Sequence, residues 1–184
     1  MENLKNEIFT LLKESGAEKM GVADLSDLPE SPYPVGICFM IPVPKHIIRD
    51  LLEAPTEEYY QMYHDYNKRL NEMAKTAEAL LQEAGYNAMA NTTDKVVWNK
   101  EDHTTALPHK TVATKAGLGW IGKSCILVTK EFGGAFRMGV VLTDAPPACR
   151  CAHHRKPMWQ LQEMCGCLPC PVSEKHPLEG RNAP

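Results

Sequence analysis

Five cysteines crowd into one short stretch near the end of the chain: Cys149, Cys151, Cys165, Cys167 and Cys170. Thiolates gathered this closely, in a chain whose start lacks a secretory profile, point to metal or cluster ligation rather than disulfides. They read C-x-C and then C-x-C-x2-C, with His153 and His154 between. That spacing departs from the bacterial ferredoxin run C-x2-C-x2-C-x3-C-P. Thiolates and imidazoles together can hold zinc, although the pattern matches no common zinc module. The other two cysteines, Cys38 and Cys125, sit singly inside apolar runs. Both are expected to pack as small apolar groups.

A second pattern is AGLGWIGK, residues 116–123, which contains G-x-G-x-x-G. Such glycines bind a dinucleotide when they follow a strand and open a helix. Here a helix is expected before them and a strand after, so that reading fails on context. A phosphate-binding loop with four residues between its glycines fails on spacing. What remains is a tight helix-to-strand connection in which the backbone closely approaches another backbone element or a cofactor.

The elements that would position these groups follow from periodicity. Leu4, Ile8, Leu11 and Leu12 repeat at helical spacing, and Gly16 supplies a stop. A short strand is expected over Lys19 to Asp24, and a Pro-rich loop, SDLPESPYP, follows. VGICFMIPV is apolar throughout and short enough for a buried strand. Thr56 can cap a long helix with Glu57 and Glu58 in its first turn and Gly85 at its end. Tyr59, Tyr63, Tyr66, Leu70, Met73, Ala77, Leu80 and Ala84 are expected to form that helix's core-facing stripe. AMANTT reads as a strand and HKTVATKAG as a short helix. SCILVTK and FRMGVVLT read as two strands of a hairpin turning at Gly133–Gly134.

Helices and strands do not alternate regularly, which argues against a doubly wound parallel sheet. The expected class is α+β, an antiparallel or mixed sheet flanked by helices. A chain of 184 residues can bury a core without staples, and its ordinary apolar and charged fractions exclude wholesale disorder. The net charge of -3 argues against a nucleic-acid surface as the dominant feature. No apolar run approaches the length of a membrane span, so no membrane partner is expected and the expected location is the cytoplasm. The oligomeric state is left open.

The segment LPHKTVATKAGLGWIGKSCILVTKEFGGAFRMGVVLTDAP, residues 107–146, closely resembles the core of the epoxyqueuosine reductases and their shorter relatives. Over residues 1–106 the resemblance is diffuse. It implies an α+β domain like those of flavin nitroreductases and B12-trafficking proteins, with a corrinoid (cobalamin) bound against it. It further implies a ferredoxin-like module with 4Fe-4S clusters, an electron donor protein, and reduction of epoxyqueuosine in tRNA to queuosine. In that group an acidic proton donor stands about fourteen positions before the first glycine, in a D-x-x-P-x-x-E setting. The matching positions here hold His103, with Asp102 beside it, and the Pro and Glu of the setting are absent. Asp102 and His103 are thus the candidate proton donors, since both residue types can serve as acid; a solvated loop is the alternative. The resemblance also assigns His109, Lys110, Gly117, Gly119, Gly122 and Lys123 to the cofactor side. It leaves three functions open: a cluster- and corrinoid-dependent oxidoreductase, a corrinoid or flavin (FMN) binding module without turnover, and a zinc-binding interaction domain built on the tail.

The tail has a second reading in the genetic code. Met and Trp each have one codon, so a frame one base later turns Met158–Trp159 into Cys, Trp159–Gln160 into Gly, and Met164–Cys165 into Cys. If Leu161 and Leu168 use CTG, both also become Cys, and Pro169 can remain Pro. The result is C-G-x-C-x2-C-x3-C-P, the ferredoxin run. The expected organisation is therefore a cofactor-binding domain over 1–146 and, over 147–184, an out-of-frame remnant of a 4Fe-4S module. An authentic tail with its own metal site is the alternative.

Overall fold

The computed structural model describes residues 2–93 and 105–146. Asp102, His103, the five tail cysteines and the expected division after residue 146 lie outside the described residues. In chain order the elements are α1 (Glu2–Glu14), β1 (Lys19–Asp24), β2 (Val35–Pro42), α2 (Lys45–Arg49), α3 (Glu57–Glu83), β3 (Ala88–Asn91), α4 (His109–Lys115), β4 (Trp120–Ile121), β5 (Leu127–Val128) and β6 (Phe136–Thr143).

A strand without a polar face must be covered on both sides, and β2 and β6 are the two that read this way. They take the centre of a four-stranded antiparallel sheet ordered β1-β2-β6-β3. One face carries Ile37, Phe39, Ile41 and Val141 against Ile8 and Leu12 of α1 and Leu70, Met73, Ala77 and Leu81 of α3. The other carries Cys38, Met40, Val140 and Leu142 against Val112 and Ala113 of α4, together with Leu118 and Leu127. Each such leucine or isoleucine, taken fully out of water, contributes about 1.5–3 kcal/mol. The α+β reading with an antiparallel sheet flanked by helices is borne out.

The long helix begins as its residues predict. Thr56 Oγ1 accepts from the backbone N–H of Tyr59 at 3.2 Å, and Glu57 and Glu58 occupy the first turn. At the other end Gly85 takes a positive φ of 87°, as expected of a helix stop. The tyrosine stripe is corrected in part. Tyr59 and Tyr66 are half-buried, but Tyr63 is exposed, with the Arg137 guanidinium 4.2 Å from its ring centroid. Tyr63 falls at the rim of the helix's buried face, where it meets the Arg137 side chain, while Tyr59 packs with Val43, Ile47 and Met62.

The expected hairpin of SCILVTK with FRMGVVLT is also corrected. β5 pairs with β4 in a separate two-stranded ribbon, and β6 pairs with β2 and β3. The glycines at 133–134 do make a turn, closing a single bridge between Thr129 and Gly133. However, a strand as apolar as β6 is stabilised more between the eight-residue β2 and the four-residue β3 than beside a two-residue ribbon strand. Close docking of α4 on the sheet depends on Gly36. A Cβ there would lie 2.6 Å from Val112 Cγ1. Among the described residues, no helix is long and apolar enough to cross a membrane.

Candidate functional site

The glycine segment works first on its own chain. Gly117, with φ +70°, ends α4 in a paired-bond cap: its N–H donates to the Thr114 carbonyl and that of Leu118 to the Ala113 carbonyl, each at 3.0 Å. Gly119 lies against β5. A Cβ added there would stand 2.3 Å from the Val128 carbonyl oxygen, and one at Gly122 would stand 3.2 Å from Val128 Cγ2. Only at Gly117, of the three, would a Cβ meet nothing within 4 Å. For Gly119, the close approach expected from the sequence is therefore to a backbone element.

The β4–β5 ribbon closes through a tight turn at Lys123, Ser124 and Cys125. Cys125 N–H donates to the Gly122 carbonyl at 3.0 Å, and Gly122 N–H to the Ile126 carbonyl at 2.9 Å. This places Cys125 at φ +58°, a conformation more usual for glycine, with the residue exposed. The expectation that Cys125 packs as an apolar group is thus corrected: the turn geometry overrides the apolar run. Cys38 does behave as expected. It is buried in the sheet, where loss of solvent pushes its thiol pKa up to about 12. Lys110 Nζ donates to the Cys125 carbonyl at 3.1 Å, tying the ribbon tip to α4. Lys123 is exposed at that tip.

Among the described residues, two buried side-chain polar atoms have no partner: His109 Nε2 and Arg137 Nε. His109 opens α4, and its pKa is lowered from the usual 6.5. Burial is the main cause, and the Arg137 charge adds to it, while an interaction with the Asn91 backbone opposes them. The ring is thus held neutral near pH 7, with a nitrogen free to take or give a proton. A group whose folded pKa lies below its unfolded value binds its proton first in the unfolded chain. The stability it contributes is therefore full above pH 6.5 and falls as the pH drops below that value toward the folded pKa. Unfolding midpoints measured across this range should decline on the acid side, and His109→Gln should make that decline shallower; an unchanged slope would contradict the burial.

Arg137 is the second residue of β6, on the α3 face. Its Nη2 donates to Asn67 Oδ1 at 2.6 Å, and among the described residues no carboxylate pairs with it. It lines a cleft of about 260 Å³ between the ribbon and the start of α3, walled by Val43, Ile48, Tyr59, Met62 and Ile126. Sequence reasoning missed Arg137, although one signal was present: a lone charge inside the otherwise apolar run FRMGVVLT. Nearby, β3 is pinned to α3 at its end. Thr93 N–H donates to Asn71 Oδ1 at 3.1 Å, and Asn71 Nδ2 to Thr93 Oγ1 at 3.0 Å. The chain carrying Asp102 and His103 leaves from this point and returns just before α4. Among the described residues, no group of three His, Cys, Asp or Glu side chains is placed to hold a metal ion.

No family model matches the chain. It is 31% identical over 99 residues to an epoxyqueuosine reductase of Vibrio cholerae, a match covering 52% of this chain and 24% of that enzyme. With the enzyme of Lactococcus garvieae it shares 32% identity over 88 residues, 48% of this chain and 21% of the relative. A shorter match to the enzyme of Bacillus cereus reaches 40% over 43 residues, covering 23% and 11%. Among solved structures, an epoxyqueuosine reductase with an epoxyqueuosine-modified tyrosine tRNA stem loop superposes with a TM-score of 0.52 at 18% identity, over 79% of this chain and 46% of that one. The Bacillus subtilis enzyme, solved with its aspartate catalytic loop swung out of the active site, gives 0.51 at 16%, over the same shares. The chain is a relative of the epoxyqueuosine reductases. It spans about a quarter of the length of the curated enzymes and just under half of the solved ones. The superpositions establish the shared fold. The sequence matches establish the kinship. In this relative of the epoxyqueuosine reductases, His109, Lys110 and the glycine segment are brought together around α4 and the ribbon. Arg137, bonded to Asn67 of α3, lies near enough to His109 for its charge to act on that ring.

Proposed function

We propose that this chain is the cofactor-side domain of a reductase of the epoxyqueuosine reductase type, acting with an electron donor on an epoxide-bearing nucleoside in tRNA or a related substrate. The observation that carries the reading is the agreement of sequence matches and fold on one family of redox enzymes. That one of the solved relatives holds an epoxyqueuosine-modified stem loop supports a tRNA substrate.

Removal of an epoxide oxygen as water takes two electrons and two protons. The chain's own residues would supply proton handling: Asp102 or His103 from the stretch between β3 and α4, and the neutral ring of His109. His103 stands where the family's acid stands, and a histidine near neutral pH can fill that role.

The implied groups fit only in part. A flat corrinoid laid directly on Gly119 and Gly122 does not fit, because the Val128 carbonyl and side chain already take that space. The open side of Gly117 is a place, among the described residues, where a cofactor edge could rest. The tail cysteines, as spaced, do not fit a 4Fe-4S cluster, which takes four thiolates in the ferredoxin spacing. This mismatch, with histidine in place of the family's acid, favours a second reading: a corrinoid or flavin binding module without turnover.

Metal analysis with an absorbance spectrum, on protein purified without oxygen, separates the readings. Iron with sulfide, or a corrinoid spectrum together with reductase activity, supports the first. A corrinoid or flavin without turnover supports the second. Zinc alone would overturn both and favour an interaction domain held by the tail. If the gene carries CTG at Leu161 and Leu168, restoring the frame should yield a brown protein containing iron and sulfide.

A further inference from the structure

A cleft of about 260 Å³ opens at the end of the sheet, between the β4–β5 ribbon and the start of α3. Its walls are mixed: the apolar side chains Val43, Ile48, Met62 and Ile126 stand beside Tyr59, and polar atoms share the surface. One charged group lines it, Arg137. From these we propose that the cleft is a binding site for a small molecule with an apolar body and an oxyanion head, a carboxylate or a phosphate, held by Arg137.

Three features of the arginine lead to this. The side chain is already fixed. Asn67 Oδ1 accepts from Nη2 at 2.6 Å, and the Tyr63 ring lies under the guanidinium with 4.2 Å from Cζ to the centroid. A guanidinium held on two sides loses little further freedom when it binds, so its remaining donors are presented at low entropic cost. Its charge is also without a carboxylate partner among the described residues, and its Nε is buried with no acceptor there. An ion pair formed in such a partly dry place is stronger than one on an open surface. Finally, one charged side chain is set among several apolar side chains and some polar surface, the pattern of a site in which a charged contact orients a ligand and burial adds affinity.

The size narrows the ligand. Sites for small molecules begin at about 300 Å³, so this cleft suits a compact metabolite and is too small for a corrin ring. The inference therefore does not rest on the corrinoid reading and stands or falls separately from it. Ile48 and Ile126 are among the exposed large apolar side chains and line the cleft, where a ligand's body would cover them.

The test uses three probes on the full chain: 1-naphthoate, 1-naphthyl phosphate and neutral 1-naphthol, followed by amide chemical shifts of Gly134 to Met138. At least one anionic probe should shift these amides at millimolar concentration and bind about tenfold more tightly than naphthol. Which one does so tells a carboxylate head from a phosphate head. Arg137→Gln should erase the preference. Should that variant fail to fold, Ile126→Glu, at an exposed position, should weaken the anionic probes about tenfold by repulsion while sparing naphthol. Equal binding of naphthol, a preference that survives in Arg137→Gln or Ile126→Glu, or no shift with any probe would each overturn the proposal.

Discussion

Phe39→Ala is expected to cost about 3–5 kcal/mol of stability, the range for a large aromatic removed from a closed core. Phe39 is fully buried at the middle of β2, where it faces α1 and α3. Its cross-strand partner is Gly139, and a Cβ there would meet the phenyl ring at 2.6 Å. The ring therefore lies across the β6 backbone in space that no other side chain can reach, an aromatic covering a strand glycine. Alanine would leave a void that neighbouring backbone cannot close, because both strands are held in register along eight paired positions. For a domain of this size the melting midpoint should drop on the order of 10 °C. Thermal unfolding followed by circular dichroism measures it, and a loss under about 1 kcal/mol would mean that the core is not packed as described.

Gly119→Val is the second large effect, and it bears on function. The clash is with a backbone carbonyl, that of Val128 at 2.3 Å from the added Cβ, and not with a side chain that could rotate away. The ribbon must move, and overpacking of this kind costs about 1–3 kcal/mol. The variant should melt lower whether or not any cofactor is present. A variant that keeps its midpoint yet loses cofactor binding would reverse the assignment and make Gly119 a direct contact.

What could be read from the residues alone was what short-range physics decides. The limits of β1 and the start of α3 follow from periodicity and from a hydroxyl placed to cap a helix, and they appear at those places in the fold. Strand partners were not legible. Gly133–Gly134 announced a turn, but nothing local says whether the strands on either side pair with each other or go to different sheets. That choice was made by the burial demanded on both faces of β6. Cys125 was misread for a similar reason: apolar neighbours suggested packing, while the tight turn set a positive φ and exposed it. The site was legible as a segment around AGLGWIGK but not as a geometry. Gly119 meets the chain's own backbone, and Arg137 acquires its place from Asn67 and Tyr63 of α3, far away in sequence.

The central claim is that this fold still serves a reductase-type cofactor. The most direct measurement is a titration of the purified full chain with cobalamin, and then with flavin mononucleotide, followed by absorbance and by protection against heat. Saturable cobalamin binding at micromolar to low millimolar concentration, with a raised melting midpoint, is the predicted result. If neither compound binds at millimolar concentration, the cofactor-domain account is wrong, and the glycines serve only to end a helix and seat a ribbon.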